Sequence, residues 1–472
     1  MACSALSRGH AERVQRELVA SGSSQRSLQR SASNPRRGAG EGRLGLFLFV
    51  LGVGFGAALG APLFDGSIRE IHAPGGWTLF LSTASGLVGT YLALLMVVMA
   101  ARIPVLERVA GRGVVMGWHR HLSIWALSLI FVHVVLSVVA YASVARVGFV
   151  QEFGTLTSTY PYMWEATAAV GIMLVIGVVS VPLVRGRISR ESWWLLHLFM
   201  YAAVAISFLH EIVLGPDFVG HPGAQLAWSA VWILAGLAVV VFRLGLPAFR
   251  SLRHDLRVVD VASIGPNALS VILEGRNLDE LGVLGGQFFE WRFLTRGRWW
   301  QAHPFTMSGW VGRDRFRLTI EMVGDFTEGI ASLPIGTRVA FEGPYGSFTT
   351  RVRRHRRALL IAGGVGATAI RSLLEDIPSE AEPVVVMRAR SREHLLLLEE
   401  IEEMAERRNG RVYLLLGPRD QVFLQTIADT VSDFRERDIF IAGSEGFVGS
   451  LSAILYQLGA RKASVHVEAY EI

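Results

Sequence analysis

At 472 residues, with 51% hydrophobic residues and a mean hydropathy of +0.39, the chain is too apolar for an ordinary soluble protein and reads as a membrane protein. Its formal net charge of +6 is mostly a tail effect, since residues 1–43 carry eight arginines against Glu12, Glu17 and Glu41. Cys3 is the only cysteine, which excludes disulfides within the chain, zinc ribbons and cysteine-ligated iron–sulfur clusters.

Residues 1–43 are rich in Ser, Gly and Arg and almost free of aromatics, the composition of a disordered segment. Next to a membrane span, such a basic segment reads as a cytoplasmic flank rather than a nucleic-acid arm. Uncharged runs follow at Leu44–Phe64, Gly75–Ala101, Leu122–Ala145, Ala166–Val184, Ser192–His210 and Gly220–Phe242. Each is long enough to cross a hydrocarbon core of about 30 Å, so six spans are expected. The first could instead be a signal peptide, but its apolar core is longer than a signal sequence uses. The loops at 102–120, at 185–190 and after the sixth run hold clusters of arginine, whereas the opposite loops hold few. The positive-inside rule then puts both termini in the cytoplasm of a multi-pass protein of the cell (plasma or inner) membrane.

Within the spans, histidines stand out because an imidazole in hydrocarbon is expensive and usually has a partner. The third span holds His119, His121 and His133, and the fifth holds His197 and His210. These spans run in the same direction, so His119 or His121 shares the cytoplasmic level with His197, and His133 shares the outer level with His210. Two levels of paired imidazoles between parallel helices suit two stacked bis-histidine b-type haems. From His119 to His133 is fourteen steps of about 100°, which leaves both on one side of a helix, whereas His121 is about 120° off. Helical phase therefore favours His119. It does not favour the other pair, because His197 and His210 are about 140° out of phase.

Residues 255–350 alternate short apolar runs with turns and read as a small antiparallel barrel. HPFTMSG (303–309) breaks its strand with Pro304 and offers the Thr306 hydroxyl to a flat polar ring. MVGDFTEGI (322–330) ends a strand at Gly324 and opens a helix, where free backbone N–H groups would suit a pyrophosphate. From Ala358 the pattern becomes strand, Gly-rich turn and helix, the phosphate-binding opening of a dinucleotide fold. Arg388, Arg390, Ser391 and Arg392 close the second strand, where a ribose 2′-phosphate would lie. That favours NADPH, with NADH as the other candidate donor.

Together these residues resemble the ferric reductase/NADPH oxidase superfamily. The resemblance implies a six-span α-helical di-haem bundle, followed by a β-barrel FAD domain and an α/β nucleotide-binding domain. HRHL (119–122) and His133 look like the family's ligands on one helix, and WWLLHLFMYAAVAISFLH carries His197 and His210 at the family's spacing on the other. His303, Pro304, Phe305 and Thr306 form its flavin motif, with Thr306 expected near the isoalloxazine. Gly324, Asp325, Phe326 and Thr327 are similar to its phosphate segment, and EGPYG (342–346) is typical of the end of the barrel. Gly363, Gly364, Val365, Gly366, Ala367 and Thr368 match its nicotinamide-nucleotide turn. Glu468 and Tyr470 take the places of an acidic residue and an aromatic that covers the flavin where nicotinamide enters. The usual Cys-Gly-Pro appears here as Ala442-Gly443-Ser444, which removes the cysteine's part in hydride transfer and leaves Gly443 as a binding residue.

The domains expected are a tail at 1–43, the membrane domain at 44–246, the FAD barrel at 255–350 and the nucleotide domain at 356–472. The resemblance implies a transmembrane oxidoreductase that passes electrons from cytoplasmic NADPH through FAD and two b-type haems to an extracytoplasmic acceptor, aided by Thr306, Glu468 and Tyr470. A ferric chelate is the expected acceptor, because one turn past His133 the chain has only Ser137 where oxidases often place another polar group. Reduction of O2 to superoxide is the alternative. A non-enzymatic haem subunit that transfers electrons to a partner or senses redox state is a third reading. Lipid is the only macroscopic partner expected; no nucleic acid and no obligate protein partner are.

Overall fold

The computed structural model describes residues 37–64, 71–110, 112–417, 426 and 430–470. Most of the expected tail, residues 1–36, lies outside them. The described residues divide into two compact units, one up to Gly245 and the other from Leu246 onward.

The first unit is helical: α1 (Arg37–Phe64), α2 (Gly76–Ala100), α3 (Pro104–Ala110), α4 (Arg112–Ala145), α5 (Phe149–Thr159), α6 (Met163–Val179), α7 (Pro182–Arg185), α8 (Arg190–Leu214) and α9 (Pro222–Ala238), which continues into a π-helical Val239–Gly245. By length and composition, Gly76–Ala100, Gly113–Ala145, Arg190–Leu214 and Pro222–His254 could each cross a membrane. The α5–α6 pair adds a fifth crossing if it counts as one, although it is bent by 120°; the apolar part of α1 among the described residues is Leu51–Leu63. The bend lies ahead of the uncharged run at Ala166–Val184, where Pro161 lacks an N–H and Tyr162 takes a left-handed φ of 62°. That run is itself not one helix, because α6 stops at Val179 and α7 begins at Pro182.

α2 is the most enclosed of these helices. Its glycines let α4 come close: a Cβ on Gly89 would lie 2.9 Å from Ile130 Cγ1, and one on Gly86 would lie 2.6 Å from His133 Nδ1. Tyr91 ties α2 to α1 by donating to the Leu51 carbonyl at 2.9 Å. Val88, Leu92, Ala126, Met173, Ala203 and Ala235 pack into the core between helices.

The second unit opens with α10 (Leu246–His254) and a six-stranded antiparallel sheet of β1 (Arg257–Ser263), β2 (Ala268–Glu274), β3 (Phe288–Phe293), β4 (His303–Trp310), β5 (Arg315–Glu321) and β6 (Val339–Tyr345), in the order β1-β2-β5-β4-β3-β6. Its two edges meet, because Val258 donates to the Thr337 carbonyl and Val339 donates to the Leu256 carbonyl. The sheet therefore curls around Phe289, Trp291, Phe316 and Phe341, all fully buried. A short helix, α11 (Asp325–Glu328), lies between β5 and β6.

A five-stranded parallel sheet follows: β7 (Arg357–Gly363), β8 (Val384–Ala389), β9 (Arg411–Leu416), β10 (Arg437–Ser444) and β11 (Val465–Tyr470), in the order β11-β10-β7-β8-β9. Helices α12 (Ala367–Asp376), α13 (Leu398–Glu406) and α14 (Glu445–Gln457) connect the strands. Its strands are near-continuous apolar runs because both faces are covered, one core holding Leu360, Ile370 and Phe440, the other Leu359, Ile441 and Leu451. Strand order reverses between β7 and β10, which opens a crevice at their carboxyl ends.

Candidate functional site

In the helical unit, α4 and α8 bring His119 and His197 face to face, with ring centroids 6.3 Å apart and planes inclined at 57°. Trp193, one turn before His197, stacks on it at 4.9 Å. His133 is near enough to His210 for the two to interact electrostatically. Nδ1 of His119, His197 and His210 is buried without a well-formed hydrogen bond. His133 differs, since its Nδ1 lies 2.9 Å from the Ser82 carbonyl on α2, which fixes that nitrogen as the N–H donor and leaves Nε2 with a lone pair. His121 is exposed and bonds through Nδ1 to the Gly117 carbonyl of its own helix at 2.8 Å.

His119 and His197 would suit a metal held in a planar macrocycle. Among the described residues no three metal-ligating side chains converge, and a macrocycle that supplies four nitrogens needs only two more. Two imidazoles sharing one metal through bonds of about 2 Å hold their centroids roughly 6 Å apart, close to what His119 and His197 show. Sequence reasoning missed what seats His133. Ser82 Oγ donates to the His133 carbonyl at 2.9 Å and lies 2.5 Å from Ser137 Oγ, so the Ser137 hydroxyl is already engaged.

In the second unit, His303, Pro304, Phe305 and Thr306 open β4. Trp291, buried in the curled sheet, donates its indole N–H to the Phe305 carbonyl at 3.0 Å and so fixes this strand beside Thr306. Pro304 is exposed, whereas Thr306 is buried and lies 3.3 Å from the Tyr470 hydroxyl on β11. Burial, and then the nearby charge of Glu468, push the Tyr470 phenol up from its ordinary value. His303 stacks on Phe326 at 3.5 Å.

The Gly324 segment departs from the expectation of free amides. The Thr327 hydroxyl accepts from the N–H groups of Val323 (3.0 Å) and Gly324 (3.2 Å), so this side chain already occupies two of the donors. The helix that follows is a single turn.

At the crevice, Gly363 ends β7, Gly364 turns with φ 56°, and Ala367 begins α12. Gly366 has to be glycine, because a Cβ there would lie 2.1 Å from the Ala442 carbonyl on β10. Thr368 Oγ1 donates to the Val365 carbonyl at 2.8 Å and also hydrogen bonds Tyr470, so the turn, β11 and the Thr306 strand meet at one point. Gly443 lies beside Gly363, and Ala442 is fully buried beneath the turn. Glu468 pairs in register with Ala442, and Tyr470 with Ser444. At the end of β8, Arg388 donates to the Gly417 carbonyl at 3.2 Å while Arg390 and Arg392 are exposed. The Ser391 hydroxyl lies 2.7 Å from His394 Nδ1.

Residues 85–208 match the family described as ferric reductase like transmembrane component. The chain is 26% identical over 187 residues to a flavohemoprotein of Bacillus subtilis (strain 168), covering 35% of this chain and 46% of that one. It is 27% identical over 177 residues to NADPH oxidase 1 of Mus musculus, covering 34% of this chain and 27% of that one. It thus spans less than half the length of these curated relatives. Among solved structures, an Amycolatopsis cytochrome P450 reductase aligns with 46% of this chain and 69% of its own at 20% identity and a TM-score of 0.40.

Proposed function

We propose that this chain belongs to the ferric reductase/NADPH oxidase superfamily, which its match over residues 85–208 and its relatives support, and is a transmembrane oxidoreductase that moves electrons from cytoplasmic NADPH through FAD and two b-type haems to a ferric chelate outside. The coarse organisation is a ferric reductase-like membrane domain joined to a reductase module. Six crossings follow if α1 is one and the bent α5–α6 pair another, with both termini cytoplasmic. In this reading the domains run 44–246, 255–350 and 356–472.

The observation that carries the reading is the His119–His197 pair, two half-buried imidazoles with enclosed Nδ1 atoms, at the separation a shared metal requires. His119 and His197 would hold one haem and His133 and His210 the other, with Ser82 orienting the His133 ring. FAD, when bound, turns a two-electron donor into one-electron steps that haems can accept. The protein's part is position. Thr306 would present its hydroxyl to the flavin ring, Tyr470 would lie over the face that nicotinamide needs, and the 363–368 turn would hold the dinucleotide. Asp325 and Phe326 supply the amides of the 324–327 segment that Thr327 leaves free. Arg390 and Arg392, exposed at the end of β8, would meet a 2′-phosphate. Ser137, whose hydroxyl is engaged by Ser82, offers no free polar group to an oxygen molecule, which supports a ferric chelate as substrate.

Reduced-minus-oxidised spectra of the purified protein with FAD and NADPH test the core of the reading. The absence of any b-type Soret and α-band change would sink it and leave a non-enzymatic haem subunit at most. Anaerobic NADPH oxidation with ferric citrate, compared with oxygen uptake and superoxide yield in air, separates ferric reduction from the oxidase alternative.

A further inference from the structure

A buried ion network joins the curled sheet to α12 and α13, outside the flavin and nucleotide motifs. Arg317 on β5 reaches Glu400 on α13 with both prongs of its guanidinium, Nη1 to Oε1 at 2.6 Å and Nη2 to Oε2 at 2.8 Å. Arg371 on α12 donates from Nε to Glu400 Oε2 at 2.9 Å and from Nη1 to Glu375. Arg317, Arg371 and Glu400 are 3%, 6% and 6% exposed, so these charges have little access to water. Burial alone would raise the Glu400 carboxyl, but the hydrogen bonds and charges of Arg317 and Arg371 outweigh it and hold the group down to about 2.

Each end of the network reaches an element that carries the candidate site. Arg317 Nε donates to Ser308 Oγ at 3.2 Å, and Ser308 lies two residues beyond Thr306 on the same strand. Arg371 lies three residues beyond Thr368 on α12, the helix that opens at the Gly-rich turn. The approach is close enough that a Cβ on Gly309 of β4 would sit 2.0 Å from Arg371 Nη1. Two further contacts run the same way: Gly285 N donates to Asp376 Oδ2 at 2.7 Å, and Gly286 N donates to Ser372 Oγ at 3.2 Å.

We infer that Glu400 is a positioning residue for hydride transfer, holding the Thr306 strand and the nucleotide turn in one register. A buried ion pair is weak evidence for stability, because a well-packed apolar replacement often serves as well. What a three-way, directional contact adds is geometry. Hydride transfer is sensitive to geometry, and a displacement of about 1 Å can cost on the order of a hundredfold in rate. Glu400 itself touches neither flavin nor nucleotide in this scheme; it acts through Arg317 and Arg371.

The inference rests on the proposed NADPH-to-FAD step, and the experiment keeps the two apart. Full-length protein with FAD bound is mixed anaerobically with NADPH, and flavin bleaching is followed by stopped flow over a range of NADPH concentrations. If the unaltered protein shows no bleaching, the functional reading fails, and the positioning role fails with it. If it bleaches, Glu400→Gln is expected to lower the limiting rate by about tenfold to a hundredfold. NADPH affinity and FAD content should stay within about twofold of the unaltered protein, and Glu400→Asp should recover part of the rate. An unchanged limiting rate, or a loss matched by lost FAD, would reduce Glu400 to a structural contact and overturn the inference. Where Glu400→Gln does not accumulate with FAD, Arg317→Lys serves for the same comparison, since it keeps the charge and loses the two-pronged contact.

Discussion

The hydroxyl of Tyr470 lies 3.3 Å from Oγ1 of Thr306 and also hydrogen bonds Thr368, so one side chain on the last strand spans the flavin strand and the nucleotide turn. If the Tyr470 ring holds the place that nicotinamide must take, those contacts oppose its displacement. Tyr470→Phe keeps the ring and removes them, at about 1 kcal/mol per hydrogen bond. NADPH should then bind roughly thirtyfold more tightly, measured by titrating the rate of flavin reduction. An unchanged affinity would show that the hydroxyl holds nothing in place.

The histidines of α4 allow a sharp contrast. If His119 and His197 hold one of two haems, His119→Ala should lose it and halve the b-type signal per FAD, while His121→Ala should leave both bound. His121 has an exposed ring already bonded to Gly117, whereas His119 faces His197. Pyridine haemochrome content per flavin measures both variants. A haem deficit in His121→Ala with a full complement in His119→Ala would reverse the assignment.

How far the sequence could be read depended on whether the signal was local. The β7–turn–α12 unit was legible because a buried apolar strand, four small residues and a helix follow one another directly, and Gly366 shows why a side chain is excluded there. His119 was separable from His121 by helical phase alone. The seat of His133 was not legible, since Ser82 and Gly86 lie on another helix and no periodicity links residue 82 to residue 133. Glu400 was hidden for a similar reason. LEEIEEMAE looks like a solvated acidic helix, and only Arg317 and Arg371 arriving from other elements make one of its glutamates a buried partner. The α5–α6 bend had a signal in Pro161 that the search for uncharged runs passed over.

Gly86 tests the seat of the outer pair. A Cβ there would come within 2.6 Å of His133 Nδ1, a distance that forces the ring or the helix to move. Gly86→Ala should therefore weaken the haem assigned to His133 and His210 and spare the one assigned to His119 and His197. Redox titration followed at the α-band would show one component lost or shifted and the other unchanged. Two unaltered components would mean that Gly86 serves helix packing only.

The exposed arginines at the end of β8 should set the choice of donor. Arg390→Ala combined with Arg392→Ala removes two charge-assisted contacts to a 2′-phosphate, each worth about 1.5–3 kcal/mol. The KM for NADPH should rise by more than about tenfold per contact, with the KM for NADH nearly unchanged. Equal effects on both donors would place these arginines away from the 2′ position.

Asp438, at the start of β10 and fully buried, gives a prediction in pH. Its Oδ2 accepts the N–H groups of Arg354 and His355, both at 2.6 Å, and its Oδ1 lies 3.3 Å from His466 Nε2. Arg353 adds a nearby positive charge. Burial works to raise this carboxyl, but the His466 contact and the two amides outweigh it and hold the group below its usual 3.8. A carboxyl depressed in the folded state contributes stability that is complete above its unfolded value and is lost as pH falls through the folded one. Asp438→Asn should therefore cost about 2 kcal/mol near neutral pH, the scale of losing charge-assisted hydrogen bonds in a buried site. The gap should narrow as the pH is taken below the ordinary carboxylate range, because the unaltered protein then loses the same charge. Urea unfolding of the full chain, followed by FAD release at a series of pH values, measures it. A gap that stays constant into acid would mean that the carboxylate charge contributes nothing and that the shape of the side chain alone matters.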